Sequence, residues 1–325
     1  MVTVVFFISL FVGCVQSEQP LEEKYAYTFR LAESHPGDHP TTLSDYEFAR
    51  LVEEKSDGRI KIIVYDDKAL GEEAVVIDQM RFGAIDFARV SSGPLTELIP
   101  SLNVIQLPYL YEDGNHMWRV LQSDLGRKYL ASVEQVNLIG LGWMDAGARS
   151  FYNSVRPIES KEDLKDLEFR VMQSSMMSDM VEALGAKTIA MPYGEVYGAI
   201  QIGEIDGAEN NWPSYDTSAH YEVAGYFSVD EHVRVPEMLL ASAKALENLS
   251  DEDMAIIFEA ALETEAYQRV LWKEHEKASE ERIRSLGIQV NIIEDRDEFI
   301  DAMMPIYEKY AKAYLEEIRR IQEDY

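Results

Sequence analysis

Residues 24–67 read KYAYTFRLAESHPGDHPTTLSDYEFARLVEEKSDGRIKIIVYDD, and the change of hydrophobic period within them decides the fold class. Tyr25, Tyr27, Phe29 and Leu31 alternate with polar residues, which is the pattern of a strand. HPGDHPTT (35–42) is a Pro/Gly loop. Leu43, Phe48, Leu51 and Val52 then share one stripe of a helix that Asp57-Gly58 closes. IKIIVYDD (60–67) is a short β-branched run, the mark of a buried strand. A strand, a helix and a second strand in succession form a crossover between parallel neighbours.

The same alternation continues outward. EAVVIDQMRFG (73–83), SSMMSDMVEALG (174–185) and GEVYGAIQIG (194–203) read as helices. AIDFARV (84–90), VNLIGLGWMDAG (136–147), LEFRVM (167–172), KTIAMP (187–192) and IDGAEN (205–210) read as strands, with helix-like SKEDLKDL (160–167) before LEFRVM. The predicted class is therefore α/β, with largely parallel sheets flanked by helices. The last third differs: a Ser250-x-x-Asp253 cap opens a helix running to about Gly287. A second helix is expected over about 295–324, broken or kinked at Pro305. Helices this long after two α/β blocks suit elements that brace or bridge domains.

With 325 residues the chain suits two domains. Its 59 acidic and 30 basic residues give a formal charge of −29, which repels nucleic acid and anionic membrane surfaces. MVTVVFFISLFVGCVQS (1–17) is an apolar run too short to span a bilayer. It reads as a signal peptide with a lipobox-like Phe-Val-Gly-Cys, so Cys14 is the expected lipid attachment site, with plain secretion as the alternative. Cys14 is the only cysteine, so no internal disulfide is expected.

Ligands of open α/β sheets gather beyond the carboxyl ends of strands. The polar residues there are Glu33 to His35, Arg89 to Ser92, Asp145, Arg149, Arg170, Gln173, Tyr193 and Glu209 to Asn211. Arginine offers a planar fork that matches a carboxylate, the amides suit hydroxyls, and Tyr193 or Trp212 can pack on a sugar face. This set fits a small polyhydroxylated acid. Each residue has an ordinary alternative: sheet cover for Arg170, a surface position for Arg149, helix capping for Asn210 and Asn211, core packing for Trp212. Asp206 and Glu209 form a possible carboxylate pair for glycoside hydrolysis. The six histidines show no zinc spacing, and no nucleophile elbow, P-loop or dinucleotide fingerprint occurs, so neither metal nor cofactor is expected.

GARSFYN (147–153), FRVMQS (169–174), MPYGEVYGAIQIGEIDGAENN (191–211) and HYEVAGYFSVDEHVRVPEMLLAS (220–242) resemble the DctP-type solute-binding receptors of tripartite ATP-independent periplasmic (TRAP) transporters. The resemblance runs from about Tyr25 to the C-terminal helices. It implies two α/β lobes joined by hinge strands, crossed by a long helix and closing on one organic anion. The lobes would comprise 24–147 plus 235–275 and 148–234 plus 276–325. It places the family's carboxylate-binding arginine on Arg170, a second arginine on Arg149, an amide on Asn210 and an aromatic on Tyr193. ENNWPSY (209–215), ARVSSGPL (88–95) and HMWRVL (116–121) are similar to the hexuronate-binding branch. Sialic-acid binders carry a Glu where this chain has Arg89.

The resulting expectation is an extracytoplasmic receptor, not an enzyme, that captures a hexuronate such as glucuronate or galacturonate and delivers it to integral membrane TRAP permease subunits. Arg170 would grip the carboxylate, with Arg149 and Arg89 adding positive potential. Asn210, Asn211 and Gln173 would bond hydroxyls, Tyr193 and Trp212 would flank the ring, and His35 and Glu33 would lie at the pocket. Glu209 and Asp145 would support the arginines. The alternatives are a receptor for a dicarboxylate, a sensory receptor and a uronide hydrolase or lyase.

Overall fold

The computed structural model describes residues 25–325; the expected signal region and Cys14 lie outside them. The opening unit forms as its pattern requires. Strand β1 (Tyr27–Ala32) lies parallel to β2 (Ile60–Tyr65), with helix α1 (Pro40–Lys55) as the crossover. Helix α1 begins within the stretch read as a loop, because the His39 ring accepts from the Thr41 N–H and Pro40 fits the first turn. It ends where Asp57 (φ 50°) and Gly58 (φ 74°) turn left-handed. Phe48, Leu51 and Val52 are buried against Phe29, Leu31, Ile60 and Ile62.

Strands β3 (Phe87–Ser91), β4 (Leu138–Met144) and β10 (Glu237–Ser242) complete a sheet of order β2-β1-β3-β10-β4. The second sheet comprises β5 (Arg149–Asn153), β6 (Glu168–Val171), β7 (Lys187–Ala190), β8 (Gly207–Asn210), β9 (Tyr226–Val233) and β11 (Gln289–Ile292), in the order β11-β9-β5-β8-β6-β7. The α/β class with helices flanking each sheet is as expected, but both sheets are mixed. β10 runs antiparallel to β3 and β4, and β5 runs antiparallel to β8 and β9. These antiparallel strands adjoin the two crossings between sheets, 145–148 and 234–236, where the chain returns without a helical crossover.

Ser250 caps the 35-residue helix α3 (Asp251–Ser285) by accepting from the Asp253 N–H. It packs on α1 and β4 of the first half and on α2 (Trp212–Thr217) of the second, the bridging role expected of it. Gln268, buried in its middle, bonds the backbone of Asp145 twice, accepting from the N–H and donating to the carbonyl, both at 2.8 Å. The expected final helix is broken into Asp297–Asp301, Met304–Tyr310 and Leu315–Glu323, with Pro305 in the first turn of the middle segment. These segments reach both halves: Tyr310 donates to Asp179, and the His116 ring meets the Ile321 carbonyl at 2.6 Å. Among the described residues no helix is long and apolar enough to cross a membrane.

Candidate functional site

A cleft lies between the sheets, lined by Ser34, His35, Glu73, Ser91, Arg149, Arg170, Met172, Tyr193, Asn210, Ser214 and Glu237. Topology gathers these residues. Parallel strands β3, β6 and β8 end near the cleft, and antiparallel β5 and β10 begin there, delivering Arg149 and Glu237 as their first residues.

Arg170 and Ala208 are register partners on neighbouring strands β6 and β8. Its Nε donates to the Met191 carbonyl (2.9 Å), and its guanidinium lies 5.7 Å from the Tyr193 ring centre. Its two terminal nitrogens make no hydrogen bond among the described residues, although the residue is only 5% exposed. Burial lowers its pKa; Glu209 opposes that effect and neighbouring Arg149 adds to it. A buried guanidinium that lacks a carboxylate is costly unless an anion joins it.

Arg149 is the opposite case. Its Nε and Nη2 both bond the Glu209 carboxylate, Nη2 also donates to the Glu209 carbonyl (2.7 Å), and Nη1 donates to Asn210 Oδ1 (2.7 Å). Burial would raise the Glu209 pKa, but Arg149 and His232 bring it to about 2. Burial likewise opposes charge on His232, yet Asp230 and Glu209 lift it to about 9. Asn210 thus has its carbonyl committed to Arg149 and the Asn211 N–H, while its amide nitrogen has no partner among the described residues. Asp145 prepares this placement: it accepts from Trp118 Nε1 (2.7 Å) and from the Gly147 N–H (2.8 Å). Gly147 has φ 60°, and a Cβ there would stand 2.4 Å from Glu276 Oε1, so the turn into Arg149 requires glycine.

The opposite wall is acidic and hydroxylated. Arg89 does not line the cleft; its side chain is fully buried and divided among Glu33, Glu73 and Glu237, with Ser34 and His35 also in contact. Glu33 is likewise behind the wall; burial would raise its pKa, but Arg89 and His35 hold it well below the ordinary range. His35 lines the cleft with its ring stacked on His39 (3.8 Å between centres). Burial and then Arg89 lower the His35 pKa, so its ring is neutral at pH 7.

The structure separates several sequence candidates from the cleft. Asn211 is the cap of α2, its Oδ1 accepting from the Ser214 N–H at 2.8 Å. Trp212 stacks on Phe227 at 3.9 Å in the second-half core. Gln173 is exposed and outside the cleft lining. Asp206 and Glu209 are not a catalytic pair in the cleft: Asp206, at the far end of β8, accepts from the Glu168 N–H (2.9 Å), and Glu209 is locked by Arg149. Glu73, Met172, Ser214 and Glu237 line the site without having been singled out, whereas Ser34 and Ser91 fall within the strand-end runs 33–35 and 89–92. For Glu237 a signal existed: Pro236-Glu237 puts a lone acid at the head of the apolar run MLLAS.

Residues 31–313 match the model of the DctP family, bacterial extracellular solute-binding protein, family 7. A solute-binding protein of Chromohalobacter salexigens is 38% identical over 282 residues, covering 87% of this chain and 84% of the relative. A TRAP periplasmic solute-binding protein from a Bradyrhizobium species, solved with α/β-D-galacturonate, superposes with a TM-score of 0.89 and 39% identity, covering 91% of this chain and 99% of that one. Its counterpart from Roseobacter denitrificans, solved with β-D-glucuronate, gives 0.88 and 36% over 91% and 99%. With two mixed sheets, two crossings, a bridging helix and a buried arginine cleft, this chain belongs to the DctP family of extracellular solute-binding proteins.

Proposed function

We propose that this protein captures a hexuronate, D-glucuronate or D-galacturonate, and presents it to the membrane subunits of a TRAP transporter. The observation that carries this reading is the asymmetry of the cleft. One wall offers a buried guanidinium, Arg170, whose terminal nitrogens are open; the other offers Glu73, Glu237 and two serine hydroxyls. A ligand with a carboxylate at one end and hydroxyls at the other satisfies both walls. A second carboxylate would meet the acidic wall and be repelled. Asn210, through its free amide nitrogen, and Ser91 are assigned to hydroxyls, His35 and Tyr193 to the sides of the ring, and Arg149 to the carboxylate region. Arg89, Glu33, Glu209 and Asp145 are assigned to holding the walls. Relatives solved with galacturonate and glucuronate support the ligand class.

The same reading divides the chain into lobes of 24–147 plus 235–275 and 148–234 plus 276–325, which keeps each sheet within one lobe. Contacts made by both lobes would favour closure, since only a ligand with higher affinity for the closed form can shift that equilibrium. Attachment to the outer face of the cytoplasmic membrane through Cys14 completes the proposal. The test is a thermal-shift screen of protein stripped of ligand by unfolding and refolding, against uronates, aldonates, dicarboxylates and sialic acid. A ligand at about 100 times its Kd should add roughly 2.7 kcal/mol of stability. A shift confined to the two uronates is expected; a shift only with dicarboxylates would overturn the ligand class.

A further inference from the structure

Glu237 opens β10, where the chain enters the first sheet from the 234–236 crossing, and it lines the cleft beside Ser91. Its side chain is 7% exposed. Oε1 lies 3.3 Å from Arg89 Nη1 and accepts from the Ser91 hydroxyl at 3.4 Å, both long. Oε2 is buried without a hydrogen-bond partner among the described residues. Three carboxyl groups compete for one guanidinium: Glu33 takes Nε and Nη2, Glu73 takes Nη1 at 2.7 Å, and Glu237 is left the weakest contact. Were all three ionised, the cluster would carry two net negative charges in a buried place facing an anion site, an arrangement that low dielectric penalises.

We propose that Glu237 is a neutral acid whose carboxyl group, at the cleft wall, donates a hydrogen bond to a hydroxyl oxygen of the bound sugar acid, so that capture is linked to its protonation. This rests on the sugar-acid reading of the cleft. A protonated carboxyl supplies a donor where ionised Glu33 and Glu73 could only accept, and a buried acid kept neutral for that purpose is a known device. Charge balance agrees: burial, opposed by Arg89 and reinforced by Glu73 and Glu33, pushes its pKa up to about 8. The other ionisable groups nearby are Arg149 across the cleft and Asp45 on α1, itself raised by burial and by Glu33. The register neighbours Ser91 and Met144 bring no charge.

Binding of D-glucuronate and D-galacturonate is measured by calorimetry from pH 7 to 9.5, with Glu237→Gln beside wild type. Glutamine keeps a donor and cannot ionise. Because the free protein must retain the proton, wild-type Kd should rise about 30-fold over that range for a pKa of about 8. The variant should bind at pH 7 within about fivefold of wild type and lose most of the rise, about fourfold or less remaining from His232, whose pKa is about 9. A flat wild-type profile, or an unchanged slope in the variant, overturns the proposal. A ligand-independent readout is the carboxyl ¹³C titration of glutamate-labelled, ligand-free protein, with the Glu237 signal assigned by its loss in the variant. A midpoint near 8 supports the neutral acid, and one below about 6 overturns it whichever acid is bound. Failure of the sugar-acid reading has its own signature, wild type that binds neither uronate at pH 7, and the donor role would fall with it.

Discussion

Replacing Arg170 by methionine keeps an unbranched stem of similar reach and removes the guanidinium. Two effects of opposite sign follow. In the liganded protein a buried, bidentate charge pair is lost, which costs about 2–5 kcal/mol, or roughly 30-fold to several thousandfold in Kd. In the ligand-free protein the substitution removes a buried cation with two unbonded nitrogens, so about 1–3 kcal/mol of desolvation cost disappears with it. At about 2–4 °C per kcal/mol, the ligand-free melting temperature should hold or rise by several degrees. Calorimetry and differential scanning fluorimetry on stripped protein read both quantities. Arg170→Lys should fall between, keeping charge but losing the fork, with affinity reduced about 10- to 150-fold. Methionine that binds uronate within threefold of wild type would refute the carboxylate assignment. A fall of many degrees in the ligand-free form would instead make Arg170 a structural residue.

Three further outcomes follow from the described contacts. Asn211→Ala should cost about 1 kcal/mol of stability as a lost helix cap while leaving uronate affinity within about threefold, by thermal melt and calorimetry. Glu209→Gln should weaken the fold most at neutral pH. The Glu209 pKa is lowered from 4.5 to about 2, so its stabilisation is full above about 4.5 and fades as pH falls toward 2; a gap from wild type that stays constant across an acid titration would contradict this. Glu72→Ala removes the side chain that accepts from the Gly194 N–H (3.0 Å) across the cleft mouth, so uronate dissociation should quicken about two- to tenfold in stopped flow; an unchanged rate would remove that contact from closure.

The sequence made the strand-helix-strand units legible because their periods change sharply, as in 24–67. It also placed Arg149, Arg170, Tyr193 and Asn210, which now line one cleft. What it concealed follows from direction. A search of strand ends presumes parallel strands, yet Glu237 begins an antiparallel one, and at that edge beginnings and ends coincide. Arg89 sits beside Ser91 at the right strand end, but three carboxyl groups distant in sequence surround it. Trp212 and Asn211 belong to a segment rich in ligand-like residue types whose side chains serve helix α2 and its packing. Composition gives the vocabulary of a site; only tertiary pairing tells which polar groups remain unspent.

Strand β10 lies inside the first sheet, between β3 and β4. During synthesis, therefore, β3 is complete at residue 91 but its inner neighbour is not made until residue 242. At roughly 5–20 residues per second that interval is about 7 to 30 s. Throughout it, the N-terminal half has an unfilled seam at its centre and cannot reach its final packing. A chain assembled in this order stays loosely folded until most of it exists, which suits a polypeptide that must be threaded across a membrane before it folds.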